Sequence, residues 1–117
     1  MKNLQERYEE SQSVAREMKS RLAQKLMESV ESDSYLPAEE VAKFANRIAY
    51  TEGEATAYGR AAQIMGREDL DMTRKLRALL QLATTPTDDQ WSGRSNDVRR
   101  AYHDGLASTL SDIAFEL

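Results

Sequence analysis

Apolar residues recur along this chain at intervals of three and four. That is the signature of helices with one buried stripe. The first run spans about residues 3–31. It places Leu4, Tyr8, Ala15, Met18, Leu22, Leu26 and Val30 on one narrow face, with Glu6, Glu10, Glu17 and Lys25 turned outward. The second spans about 37–65, with Val41, Phe44, Ile48, Thr51, Ala55, Tyr58, Ala62 and Met65 on its stripe. Pro37 suits a first helical turn, and Glu39 and Glu40 favour a helix N-terminus electrostatically. Gly66 suits a stop.

A third helix follows at about 70–83, capped by Asp69 or Asp71, with Met72, Leu76, Leu79, Leu80 and Ala83 inward. The stretch TTPTDDQWSG, bracketed by Pro86 and Gly93, reads as the longest loop. Ser95 or Asn96 then caps a last helix over about 95–115, striped by Val98, Tyr102, Leu106, Leu110, Ile113 and Leu117. No strand pattern occurs. The expected fold is all-α: one domain, residues 1–117, with four helices built on a long antiparallel helical hairpin. Its bias toward local contacts predicts fast folding.

The second helix carries more than its stripe. Ala45, Ala49, Gly53, Ala57 and Ala61 form an i+4 row on the opposite side, with Tyr50 and Ile64 beside them. Two polar strips separate the faces. Small residues at this spacing allow a second helix to approach closely, so Ala49, Gly53, Ala57 and Ala61 are expected to form a packing seam. Either the two shorter helices or a second copy of the chain could cover it, and the stripes those short helices must bury favour the former. Gly59, at the edge of the main stripe, has no such account. A helix of about 30 residues is about 45 Å long. A compact globule of this size is about 35 Å across. The hairpin should therefore overhang, which favours self-association, a dimer first.

Composition narrows the chemistry. The chain has no cysteine, which excludes disulfides and thiolate metal sites and fits a reducing compartment. Its polar start, MKNLQERYEESQ, does not resemble a secretory leader, and no apolar run is long enough for a membrane. A cytoplasmic location is expected. His103 is the single histidine and Asp104 is its sequence neighbour, so on a helix the two point about 100° apart. No second histidine, nucleophile elbow or phosphate loop accompanies them. No catalytic residue, cofactor or metal is expected.

Net charge is −4, and no segment has the clustered basic residues of a large nucleic-acid footprint. One segment nevertheless bears on DNA. Residues 61–79, AAQIMGREDLDMTRKLRAL, hold Ala61-Ala62, Ile64-Met65, Gly66 and Arg74-Lys75-Leu76. This resembles the helix-turn-helix of the factor-for-inversion-stimulation type. The resemblance implies that the helix after Gly66 enters a major groove and that Arg74, Lys75 and Arg77 touch phosphate or bases. Against that family's pattern, Arg67 stands where an apolar residue is usual, and Glu68, Asp69 and Asp71 acidify the turn.

Aromatic residues off the main stripes are natural anchors for a partner. Trp91, in an acidic loop, is the leading one, followed by Tyr50. Tyr50, Arg47 and Arg60 could also stack on and pair with a small phosphorylated ligand, such as a nucleotide sequestered by an oligomer. The expected function is non-enzymatic binding to another protein, as an adaptor, assembly factor or inhibitor. That profile is common among phage- and plasmid-encoded accessory proteins. DNA binding is the first alternative and nucleotide sequestration the second.

Overall fold

The computed structural model describes residues 3–32, 38–84 and 96–116. Four helices account for nearly all of them: α1 (Leu4–Glu31), α2 (Ala38–Met65), α3 (Met72–Thr84) and α4 (Asn96–Glu116). The expected helices are all present. Trp91 and its loop, Tyr35, Pro37 and Ser95 lie outside the described residues.

Local chemistry sets the ends. Asn3 caps α1, its side chain accepting from the Glu6 N–H at 2.8 Å and donating to the Glu6 carboxylate at 3.1 Å. Ser32 closes the other end, donating through Oγ to the Glu28 carbonyl at 2.7 Å. Of the two candidate caps for α3, Asp71 holds the position and accepts from the Arg74 N–H at 2.8 Å. Asp69 is bound instead to Arg67, at 3.0 and 2.6 Å. At the end of α2, Lys75 Nζ donates to the Met65 carbonyl at 3.0 Å, satisfying an acceptor that the helix leaves open.

α1 and α2 form the antiparallel hairpin. Lys25 pairs with Glu40 at 2.7 Å. The Thr51 hydroxyl lies 3.8 Å from the Met18 sulfur, and the Tyr8 ring lies against Gly59. α4 runs along the other face of α2 in the same sense as α2. Its Tyr102 and Leu106 flank Gly53, and its far end brings Glu116 to Arg7, which sits over the Tyr58 ring. α3 packs on α4 and barely touches α2. The four helices thus stand in the order α1, α2, α4, α3.

This row is elongated, 58 × 29 × 20 Å, with a radius of gyration of 16.7 Å, against about 13 Å for a compact domain of this length. Its core lies in the α2–α4–α3 half, around Ala49, Ala57, Ala61, Leu79, Tyr102, Leu106, Leu110 and Ile113. The alanine–glycine row of α2 is therefore covered within the chain, mainly by α4, with Leu79 of α3 joining the same core. By contrast, Ala15 is the single fully buried residue of α1.

Two stripes are less buried than their periodicity predicts. On α3, Met72 and Leu80 are about half exposed, because that helix is covered chiefly by α4 and Leu79 takes the contact. On α1, the stripe runs out of cover beyond Leu22. Leu26 and Val30 are 44% and 79% exposed, on a helix whose cover among the described residues comes almost wholly from α2.

Candidate functional site

The register of α1 on α2 opens a groove along one edge of the hairpin. Small residues form its floor: Ala15 from α1, and Ala55, Gly59 and Ala62 from α2. Gly59 has its explanation here. A β-carbon at that position would come within 3.1 Å of the Tyr8 ring. Tyr8 Oη accepts from Gln12 Nε2 at 2.7 Å, with the ring lying along the groove wall. The groove encloses about 640 Å³.

Its rim is cationic. Arg16 and Lys19 project from α1 and Arg60 from α2, against the single carboxylate of Glu52. Lys19 pairs with Glu52 at 3.1 Å. Arg16 and Arg60 are exposed, and neither has a carboxylate partner among the described residues. Gln5, Gln12 and Gln63 add neutral donors and acceptors. In a chain of net charge −4, this edge is a local reversal of sign, and a concave site focuses such a field.

The opposite edge of the hairpin holds a second groove of about 510 Å³, between Arg7, Val14 and Met18 of α1 and Thr51, Glu54 and Tyr58 of α2. Burial pushes the Glu54 carboxyl above its usual range. Burial also raises the Tyr58 hydroxyl, with Glu54 and Glu116 adding to the rise and Arg7 opposing it.

The expected site residues are not gathered into one place. Arg60 lines the cationic groove. Arg47 is exposed and borders neither groove. At about 100° per residue, a separation of thirteen residues turns Arg47 some 140° away from Arg60 around the helix. Tyr50 is 38% exposed, and its backbone is the surface on which Gly105 of α4 rests. On α3, Arg74 and Arg77 are exposed, whereas Lys75 is half-buried on the Met65 carbonyl. Ala49, Gly53, Ala57 and Ala61 form the buried seam against α4. His103 is half-buried, its ring edge-on to Tyr102 at 6.2 Å.

Sequence reasoning missed Tyr8, Arg16 and Lys19 as members of a shared site. No cluster of three or more potential metal ligands occurs among the described residues, and no described helix is long and apolar enough to cross a membrane. No protein-family profile, curated protein or solved structure matches the chain.

Proposed function

We propose that this chain is a non-enzymatic protein-binding module, an adaptor, assembly factor or inhibitor of cytoplasmic type, and that it self-associates as a dimer. The observation that carries the reading is the apolar end of α1, which no described helix covers. Leu26, Met27 and Val30 are 44%, 64% and 79% exposed, within about one helical turn of one another. A contiguous apolar surface of this kind marks an association site more often than a free surface.

The pattern around it is self-complementary. Antiparallel pairing of two copies of α1 about Leu26 sets Leu22 opposite Val30 and Arg21 opposite Glu31. That is the arrangement of an isologous interface. Sedimentation velocity over a concentration series tests it. A dimer is expected, reverting to monomer in the Met27→Glu/Val30→Glu variant with helix content unchanged. A strict monomer at every concentration would remove the self-association part of the reading.

The DNA-binding alternative, through Arg74, Lys75 and Arg77, has less support. Lys75 is engaged at the end of α2, and the segment before the turn belongs to a helix of 28 residues. Nucleotide sequestration through Tyr50, Arg47 and Arg60 has less support too, because those residues diverge around α2.

A further inference from the structure

The cationic groove is a channel rather than a cup. From Gln5 to Lys19 along α1 it runs about 21 Å, the length of a helix of about 14 residues. Small side chains keep its floor low: Ala15 and Ala55 are buried beneath it, Ala62 is half-buried, and the Tyr8 ring lies over Gly59. Its cations sit at two levels. Arg16 and Lys19 stand near Glu52, and Arg60 lies two turns further along α2, about 12 Å away. Single-residue charge at two levels of a long, small-floored channel matches a helix bearing carboxylates seven or eight positions apart. A compact anion would fill one end only.

We infer that the α1–α2 groove binds an acidic amphipathic helix of a partner protein, with Arg16 and Arg60 pairing its carboxylates. This rests on the protein-binding reading and assigns it a place and a partner chemistry. Glu52 already neutralises Lys19, so the two arginines that no described carboxylate pairs supply most of the attraction. The geometry is that of helix-in-groove recognition, in which an apolar strip seats on the floor and charges at the rim select the partner.

The test uses a displayed library of helix-biased peptides of about 14 residues, selected on the full chain. Winning peptides are then measured by fluorescence anisotropy. Expected winners carry Asp or Glu seven or eight positions apart. Their affinity should fall about tenfold or more in Arg16→Glu/Arg60→Glu and decline with rising salt, while Arg16→Lys/Arg60→Lys keeps most of it. Both arginines are exposed, and circular dichroism checks that each variant folds. Winners without paired acids, winners indifferent to Arg16 and Arg60, or no enrichment at all would each overturn the inference. So would ATP that binds with the same arginine dependence and displaces the winners. Winners that ignore the arginines but are lost in Met27→Glu/Val30→Glu would overturn the groove and leave protein binding standing. No enrichment together with a strict monomer would remove both.

Discussion

Gly53 of α2 and Gly105 of α4 are set into each other's helices. A β-carbon on Gly53 would overlap the Tyr102 carbonyl oxygen and come within 2.8 Å of the Leu106 nitrogen. One on Gly105 would overlap the Tyr50 carbonyl oxygen. Both obstacles are backbone, which cannot swing aside. Alanine at either position gains about 1 kcal/mol in helix propensity, but overpacking of about 1–3 kcal/mol opposes it. Gly53→Ala and Gly105→Ala are expected to lower the midpoint of urea unfolding, and Gly53→Leu to lower it much further. An unchanged or raised midpoint in both alanine variants would mean that the seam is looser than described.

Gly59→Ala should behave differently. Its added methyl meets the Tyr8 ring at 3.1 Å, and a half-buried side chain on the lightly packed helix α1 can shift by a few tenths of an ångström. The propensity gain of about 1 kcal/mol then offsets the contact. Stability equal to or above that of the parent is expected in the same titration.

The location of the core predicts unequal costs for equal truncations. Leu110 is fully enclosed, so Leu110→Ala should cost about 2–5 kcal/mol. Leu26 is 44% exposed, and Leu26→Ala should cost well under that in the monomer. Tyr102→Phe removes the hydroxyl that donates to Thr56 Oγ1 at 3.0 Å, with an expected loss of about 1 kcal/mol. Paired denaturant titrations rank the three.

Glu54 gives a dependence on pH. Its folded-state pKa is raised by burial. The native state therefore holds the proton more tightly than the unfolded chain does. The stabilisation from protonated Glu54 is fully present below the unfolded carboxylate value and is lost as pH rises through the folded value. Glu54→Gln is thus expected to raise thermal stability at pH 7 and to show little gain at pH 3. The exposed Arg67–Asp69 pair acts in the opposite direction. Hydrogen bonding from Arg67 lowers the Asp69 pKa, so its contribution is present above the unfolded value and fades on acidification.

The DNA alternative is open to a direct check. A salt-titrated gel shift on random duplex is expected to show no retention, and Arg74→Glu/Arg77→Glu should match the parent. Retention that falls steeply with salt and vanishes in that variant would restore the helix-turn-helix reading.

Helix number, order and bounds were legible because stripes repeating every three to four residues are a local signal. The second face of α2 was legible for the same reason, since Ala45, Ala49, Gly53, Ala57 and Ala61 repeat within one helix. Its partner was not. Gly105 sits beside Leu106 inside an ordinary stripe, and nothing nearby marks it as the answer to Gly53. The groove was hidden more deeply. Arg16 and Arg60 belong to different helices, and only the register of α1 on α2, fixed by Met18 against Thr51 and Tyr8 against Gly59, brings them to one edge. The exposure of Met72 and Leu80 was also beyond a periodicity argument, which says which residues share a face but not how wide the covering element is.

The order of the helices across the molecule differs from their order in the chain, and this bears on synthesis. α4 stands between α2 and α3 and is the last of the four to be made. A nascent chain that has emerged only through α3 has a hairpin whose alanine–glycine face lacks its main cover, and a third helix with only a slight contact to α2. The core can close only once α4 has been made, so the helix that joins α2 to α3 is the one synthesised after both.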